Sequence, residues 1–268
     1  MKRNKTSYWI AARFLILSTL ACNLGKSPDP AIPLPPGEAT VESAPATETP
    51  AEDSSASTSA CENPYQPIIA GASWNYKLTG LTPDTFVRSI LSVNENEYTD
   101  QDVFGTGVTR QSQWKCDNGN LIALNPSSGG GSSSINTEGL SVDFQTTELN
   151  GVTLPANLNP GDTWNQTATL EGIQDIGGTQ VPVKNHFSTT CTAIGIESVT
   201  VEAGTFDAMR FDCQTVMNIS LSMQDNPIET TITINSINWH AENIGLIKTT
   251  TTGEGFDSTI ELTSYNIP

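Results

Sequence analysis

Strand-like periodicity, closely spaced turn residues and a phrase written twice predict an all-β chain. The expected form is an antiparallel twisted sandwich or curved half-barrel made of two related halves. The segments "TFVRSILSV" (85–93), "GLSVDFQT" (139–146) and "ETTITINSINW" (229–239) are rich in Thr, Ile and Val and largely alternate. Such alternation buries one face of a strand and wets the other. Turn residues separate them: 94–96, Asn118-Gly119, Gly177-Gly178 and Asn226-Pro227. Beyond residue 21 no stretch carries the apolar stripe of a helix.

The phrase is W-x-x-[DE]-N-x-x-L-I, present from Trp114 and again from Trp239, and each copy follows G-x-[ST]-W-N, at Trp74 and Trp164. These four are the tryptophans outside the first 21 residues. A recurrence of this kind points to duplicated architecture, with halves at about 61–150 and 151–268. Large aromatics at fixed places in strands are most simply core anchors, so Trp114 and Trp239 are expected in equivalent places, as are Trp74 and Trp164. "VTVEAGTFDAMRFDC" (199–213) reads as a hairpin turning at Ala203-Gly204, where glycine takes a positive φ without steric cost.

The chain opens with a basic "MKRNK" and the short apolar "FLILSTLA", an export signal over residues 1–21. Interrupted by Arg13, this apolar stretch falls short of the roughly 20 residues a membrane span needs. Cys22 follows Ala21 directly. The arrangement resembles a bacterial lipoprotein signal, although Thr19 stands where that pattern has Leu. The resemblance implies that the Cys22 thiol carries a diacylglyceryl group and anchors the chain to the membrane. Residues 22–60 are Pro, Ala, Ser, Thr and Glu with no aromatic, so they cannot bury enough surface to offset their ordering entropy. They read as a disordered tether between the anchor and an all-β domain over 61–268.

The composition is acidic, with 12 Lys and Arg against 29 Asp and Glu. Losing residues 1–21 removes four basic residues and no acid, which leaves a net charge of −21. A surface of that sign repels phosphate backbones and excludes nucleic acid as a partner.

Five cysteines in an exported chain leave one over, and lipidation of Cys22 restores even parity. Four cysteines allow three pairings. Aligning the halves on their tryptophans gives the first half two cysteines, Cys61 and Cys116, that the second lacks, so these are expected to pair. Cys191 and Cys213 flank the Ala203-Gly204 turn almost symmetrically and suit a cross-strand bridge.

The run V-x-V-x-A-G-T-F-x-A at Val199, Val201, Ala203, Gly204, Thr205, Phe206 and Ala208 is followed by W-x-A-x-x-x-G-L-I-K. The second motif falls on Trp239, Ala241, Gly245, Leu246, Ile247 and Lys248. Together they resemble uncharacterised all-β proteins of the bacterial envelope. The resemblance covers mainly the second half, its motifs are structural, and it implies an envelope location without implying an activity.

A search for chemistry returns little. His186 and His240 sit in apparent strands with no second ligand at metal spacing, and no cofactor is indicated. There is no G-x-S-x-G turn and no phosphate loop, and "GGGSSS" (129–134) reads as a surface loop. The acidic run "ENEYTDQD" (95–102) offers oxygen ligands without calcium-loop spacing. The expectation is a non-catalytic binding module for an apolar or lipid-like ligand, held on the outer side of the cell membrane. The alternative is a structural or protein- and glycan-interacting protein of the envelope.

Overall fold

The computed structural model describes residues 60–80, 82–124, 134–137, 140–176, 179–223, 226–253 and 257–268. Cys22, the export signal, residues 22–59 of the tether, Gly177-Gly178 and most of the 129–134 loop lie outside the described residues.

Thirteen antiparallel strands form one sheet: β1 (Ser73–Gly80), β2 (Asp84–Val93), β3 (Glu97–Phe104), β4 (Thr109–Asp117), β5 (Asn120–Ala123), β6 (Ser134–Thr137), β7 (Leu140–Gly151), β8 (Thr163–Ile176), β9 (Thr179–Val201), β10 (Gly204–Met223), β11 (Asn226–Ala241), β12 (Gly245–Gly253) and β13 (Ser258–Asn266). Consecutive strands pair from β1 to β5 and from β6 to β13, and β13 returns to β1. β4 closes the circuit, pairing along one edge with β3 and along the other with β5 and β6. Twelve strands thus follow one another around a nearly closed, barrel-like sheet, with β5 sharing the β4 edge with β6. The all-β antiparallel prediction holds, and the form is barrel-like.

The expected strands and the 94–96 and Asn118-Gly119 turns are present, whereas the hairpin expected to turn at Ala203-Gly204 turns one residue earlier, at Glu202-Ala203, and Gly204 opens β10 opposite Val201. Asn118 and Gly119 both take positive φ, 49° and 80°, as a two-residue hairpin turn between right-twisted strands requires. Asn226 and Pro227 are not a turn. They open β11 opposite Met223 and Ser222, a strand-start position that tolerates proline.

The two G-x-[ST]-W-N phrases adopt one local structure. Gly71 and Gly161 sit at φ 84° and 94° and donate to Ile90 O (3.0 Å) and Ala193 O (2.8 Å). The next residues, Ala72 and Asp162, donate to Ile69 O and Asn159 O, both at 3.0 Å. Trp74 and Trp164 are then each the second residue of a strand, with Nε1 donating to Ile244 O (2.6 Å) and Thr153 O (3.1 Å).

Trp114 and Trp239 do not coincide. Each precedes a turn and a Leu-Ile strand start, but the first turn closes in two residues (Asp117 opposite Asn120) and the second in three (Ala241 opposite Gly245). Leu121 therefore pairs with Cys116, two after Trp114, whereas Leu246 pairs with His240, one after Trp239. A one-residue slip exchanges the faces of a strand. Trp114 points inward and stacks on Tyr98 (5.4 Å), while Trp239 points outward and donates to Glu197 Oε2 (2.9 Å).

The larger of two apolar clusters occupies one end of the barrel, and a smaller one, Leu170, Phe187 and Met217, packs on β8 to β10. Trp74, Leu121, Ile247 and Leu262 are fully buried, and residues 60–72 run across that end. Gly119 N donates to Ala60 O (2.8 Å), Asn243 N to Pro64 O (2.8 Å) and His240 Nδ1 to Tyr65 O (2.9 Å). Cys61 and Cys116 stand at disulfide distance with Cα atoms 4.9 Å apart and fasten the same segment to the end of β4. Cys191 and Cys213, directly opposite on β9 and β10, form the second pair, with Cα atoms 4.1 Å apart.

Candidate functional site

Strand alternation decides which side chains line the interior. On β2 these are Phe86, Arg88 and Ile90; on β3, Tyr98, Asp100, Asp102 and Phe104; on β4, Arg110, Ser112, Trp114 and Cys116. Register stacks them in rows: Phe86 opposite Phe104, Arg88 opposite Asp102 opposite Arg110, and Ile90 opposite Asp100 opposite Ser112.

This wall is aromatic and charged at once. Arg88 grips Asp102 bidentately, Nε to Oδ1 and Nη2 to Oδ2, both at 2.8 Å, with 16% and 13% of the two side chains exposed. Burial works against the Arg88 charge, and Asp102 more than offsets it, so the guanidinium stays charged. Tyr76, Phe86 and Phe104 stack in sequence at 5.0 Å spacings, with Arg88 6.0 Å over the first two rings. Arg110 lies 4.6 Å over Phe104. Burial raises the Asp100 carboxyl above its ordinary range, while Arg88, Trp114 and Ser112 pull the other way.

The facing strands are lined differently. Thr189 and Cys191 on β9, Thr215 and Cys213 on β10, Ser236 and Asn238 on β11, and Thr249 and Thr251 on β12 share the interior face by register. All but Cys191 are half-buried. Their hydroxyls and amides bond one another: Thr189 with Thr215 at 2.9 Å, and Thr249 to Asn238 Oδ1 at 3.0 Å.

The acidic run at 95–102 is a strand and its approach, not a loop of oxygen ligands. Asp100 and Asp102 turn inward between Tyr98 and Phe104, and Asp102 is consumed by Arg88. The sequence signal was available, because both aspartates share the parity of two aromatics and therefore their buried face. Among the described residues no group of three or more His, Cys, Asp or Glu is placed to hold a metal ion. His240 packs on Phe211 (5.0 Å) as a structural neutral imidazole, and burial lowers its pKa to about 4. His186 is exposed on β9, its Nδ1 3.1 Å from Thr169 Oγ1, which donates to Glu148 (2.8 Å).

Depressions mark the surface of the described residues. One of about 470 Å³ lies over Asn75, Val87, Val103 and Ser264, and one of about 250 Å³ lies beside Lys184, His186, Asn218 and Glu229. Both are open and mixed in polarity. Neither is the enclosed aliphatic cavity expected of a lipid carrier.

A family model described as DUF3108-like matches residues 91–267. Among solved structures, a candidate exported protein with a YmcC-like fold from Bacteroides fragilis is similar at 16% identity and a TM-score of 0.48. A candidate lipoprotein from Parabacteroides distasonis is similar at 16% identity and a TM-score of 0.43. In each case the similarity covers 76% of this chain and 99% of the other. No curated protein matches the chain.

Proposed function

The chain belongs to the DUF3108-like family, and from that premise we propose that it is a lipid-anchored protein of the bacterial cell envelope that binds an apolar or lipid-like ligand without catalysing a reaction. The observation that carries the ligand is the polar belt inside a wide ring. About eight strands enclose an interior that side chains alone can fill. Here twelve surround an interior packed by one apolar cluster around Trp74 and a second around Leu170, Phe187 and Met217, with a belt of half-buried hydroxyls on β9 to β12 between them. An amphiphile suits such mixed walls. The anchor rests on the export signal, on Cys22 directly after it, and on the 38-residue low-complexity stretch between Cys22 and Cys61.

Native mass spectrometry of the protein taken from a membrane fraction tests the reading. The expected result is a retained hydrophobic molecule together with a diacylglyceryl adduct on Cys22, and a Cys22→Ser chain recovered in the soluble fraction. A bare mass with no bound molecule argues against the ligand, and a membrane-bound Cys22→Ser chain argues against the anchor. The groove floored by Asn75 and Ser264, with Val87 and Val103 exposed, favours the second reading, an envelope protein that docks a protein partner on the outside of the sheet.

A further inference from the structure

The interior row across β2, β3 and β4 sets one carboxylate between two guanidiniums: Arg88 opposite Asp102, and Asp102 opposite Arg110. The carboxylate is not shared. Arg88 takes both Asp102 oxygens, and among the described residues Arg110 makes no ion pair. The Arg110 Nε is buried with no acceptor, and Phe104 supports the flat face of the guanidinium.

A cation left in this state is costly. Desolvation takes more from a buried guanidinium than a ring contact returns, and an apolar side chain of similar length would fill the same space at less cost. The chain is also poor in cations. Residues 60–268 hold three arginines; Arg210 bonds Glu197 and Asp212 on the outer face, and the other two face this interior. A residue that is expensive in the empty protein and scarce elsewhere marks a place where something negative arrives.

We infer that Arg110 is the anion-binding residue of an interior ligand site. Its guanidinium donates to the carboxylate or phosphate head of an amphiphile whose apolar part lies against Phe86 and Phe104. This deepens the proposed function and rests on it. The planar fork matches a carboxylate or phosphate in two parallel hydrogen bonds, while the adjacent Arg88–Asp102 pair, already closed, holds the wall rigid.

The test uses the chain from residue 22 onward carrying Cys22→Ser, titrated below micellar concentration with dodecanoate, dodecyl phosphate and dodecanol. One or both anions should bind at least about tenfold tighter than the alcohol, the worth of one charge-assisted pair. Whichever anion binds tighter identifies the head. Arg110→Gln should erase the preference, and Arg110→Lys should keep part of it. Ligand-free Arg110→Gln should melt at the wild-type temperature or above. A preference that survives Arg110→Gln overturns the inference, as does a ligand-free variant that melts several degrees lower, because Arg110 is then a structural residue. Dodecanol binding as tightly as both anions sinks the anion site and leaves the ligand reading standing. No binding of any of the three sinks both.

Discussion

Replacing Asp102 by Asn keeps the shape of the side chain and removes the charge that Arg88 pairs with and that faces Arg110 across the row. Asp102 accepts two hydrogen bonds from Arg88 at 2.8 Å, and both side chains are more than four-fifths shielded from water. Breaking a buried pair by removing one partner costs roughly 3–5 kcal/mol, most of it the penalty of the charge left behind. In the variant Arg88 is stranded and Arg110, already without an ion pair among the described residues, loses the attraction of the carboxylate opposite it, so the upper part of that range is expected. With a urea dependence of about 2–3 kcal/mol per molar, the unfolding midpoint should fall by roughly 1–2 M. An isolated buried pair can usually be exchanged for apolar residues without loss. Here Arg88→Met with Asp102→Leu should remain destabilised, because Arg110 stays buried beside an apolar neighbour. Adding Arg110→Met should recover most of the deficit. A midpoint change below about 0.3 M for Asp102→Asn, less than about 1 kcal/mol, would mean that water screens the row, and the reasoning about buried charge would fail.

Two further outcomes are expected. His240 donates from Nδ1 to Tyr65 O, and burial lowers its pKa from 6.5 to about 4. A depressed folded-state value means that its contribution is complete above about pH 6.5 and is lost as pH falls toward 4, on the order of 3 kcal/mol in all. Asp100 acts in the opposite sense, since its raised value favours the fold as pH drops, so urea midpoints of His240→Phe and wild type should be compared at each pH. Equal slopes between pH 6.5 and 4 would show that the imidazole is charged in the fold. The Cys61–Cys116 and Cys191–Cys213 bonds close loops of 55 and 22 residues, and removing each should cost roughly 4 and 3 kcal/mol by the chain-entropy relation. Free thiols, or a peptide linking Cys116 to Cys191, would contradict the pairing.

Much of the architecture was legible because it depends on short-range rules. Strand alternation, the Asn118-Gly119 turn and the Gly-x-[Ser/Thr]-Trp-Asn strand openings are local, and local preference and final structure agree at each. Closure of the ring was not legible. It depends on β4 pairing along both edges, and its second edge is shared by a four-residue strand and by three residue pairs with β6. No periodicity encodes so brief a contact. The misplaced equivalence of Trp114 and Trp239 has a comparable cause: two copies with identical spacing meet turns of two and three residues, and turn length decides the face. The interior charges were legible in principle and were passed over because acidic runs usually read as solvated surface. Parity with Tyr98 and Phe104 outweighs composition there.

The two walls of the interior also explain why this chain combines a strongly acidic surface with buried arginines. Where β1 to β4 face the interior, side chains are large and either stacked or ion-paired, so they fix the spacing of the rows and resist repacking. Where β9 to β12 face it between Phe211 and Phe187, they are small, hydroxylated and bonded mainly to one another, with the Cys191–Cys213 bridge among them. On the proposed ligand reading, a charged wall opposite a polar one would admit guests that differ in shape and agree in one feature, the head group that meets Arg110. Specificity by charge and tolerance by packing are then separate properties of separate strands. Substitutions on β9 to β12 such as Thr215→Val or Ser236→Ala should alter which chains are accepted without altering the preference for an anionic head.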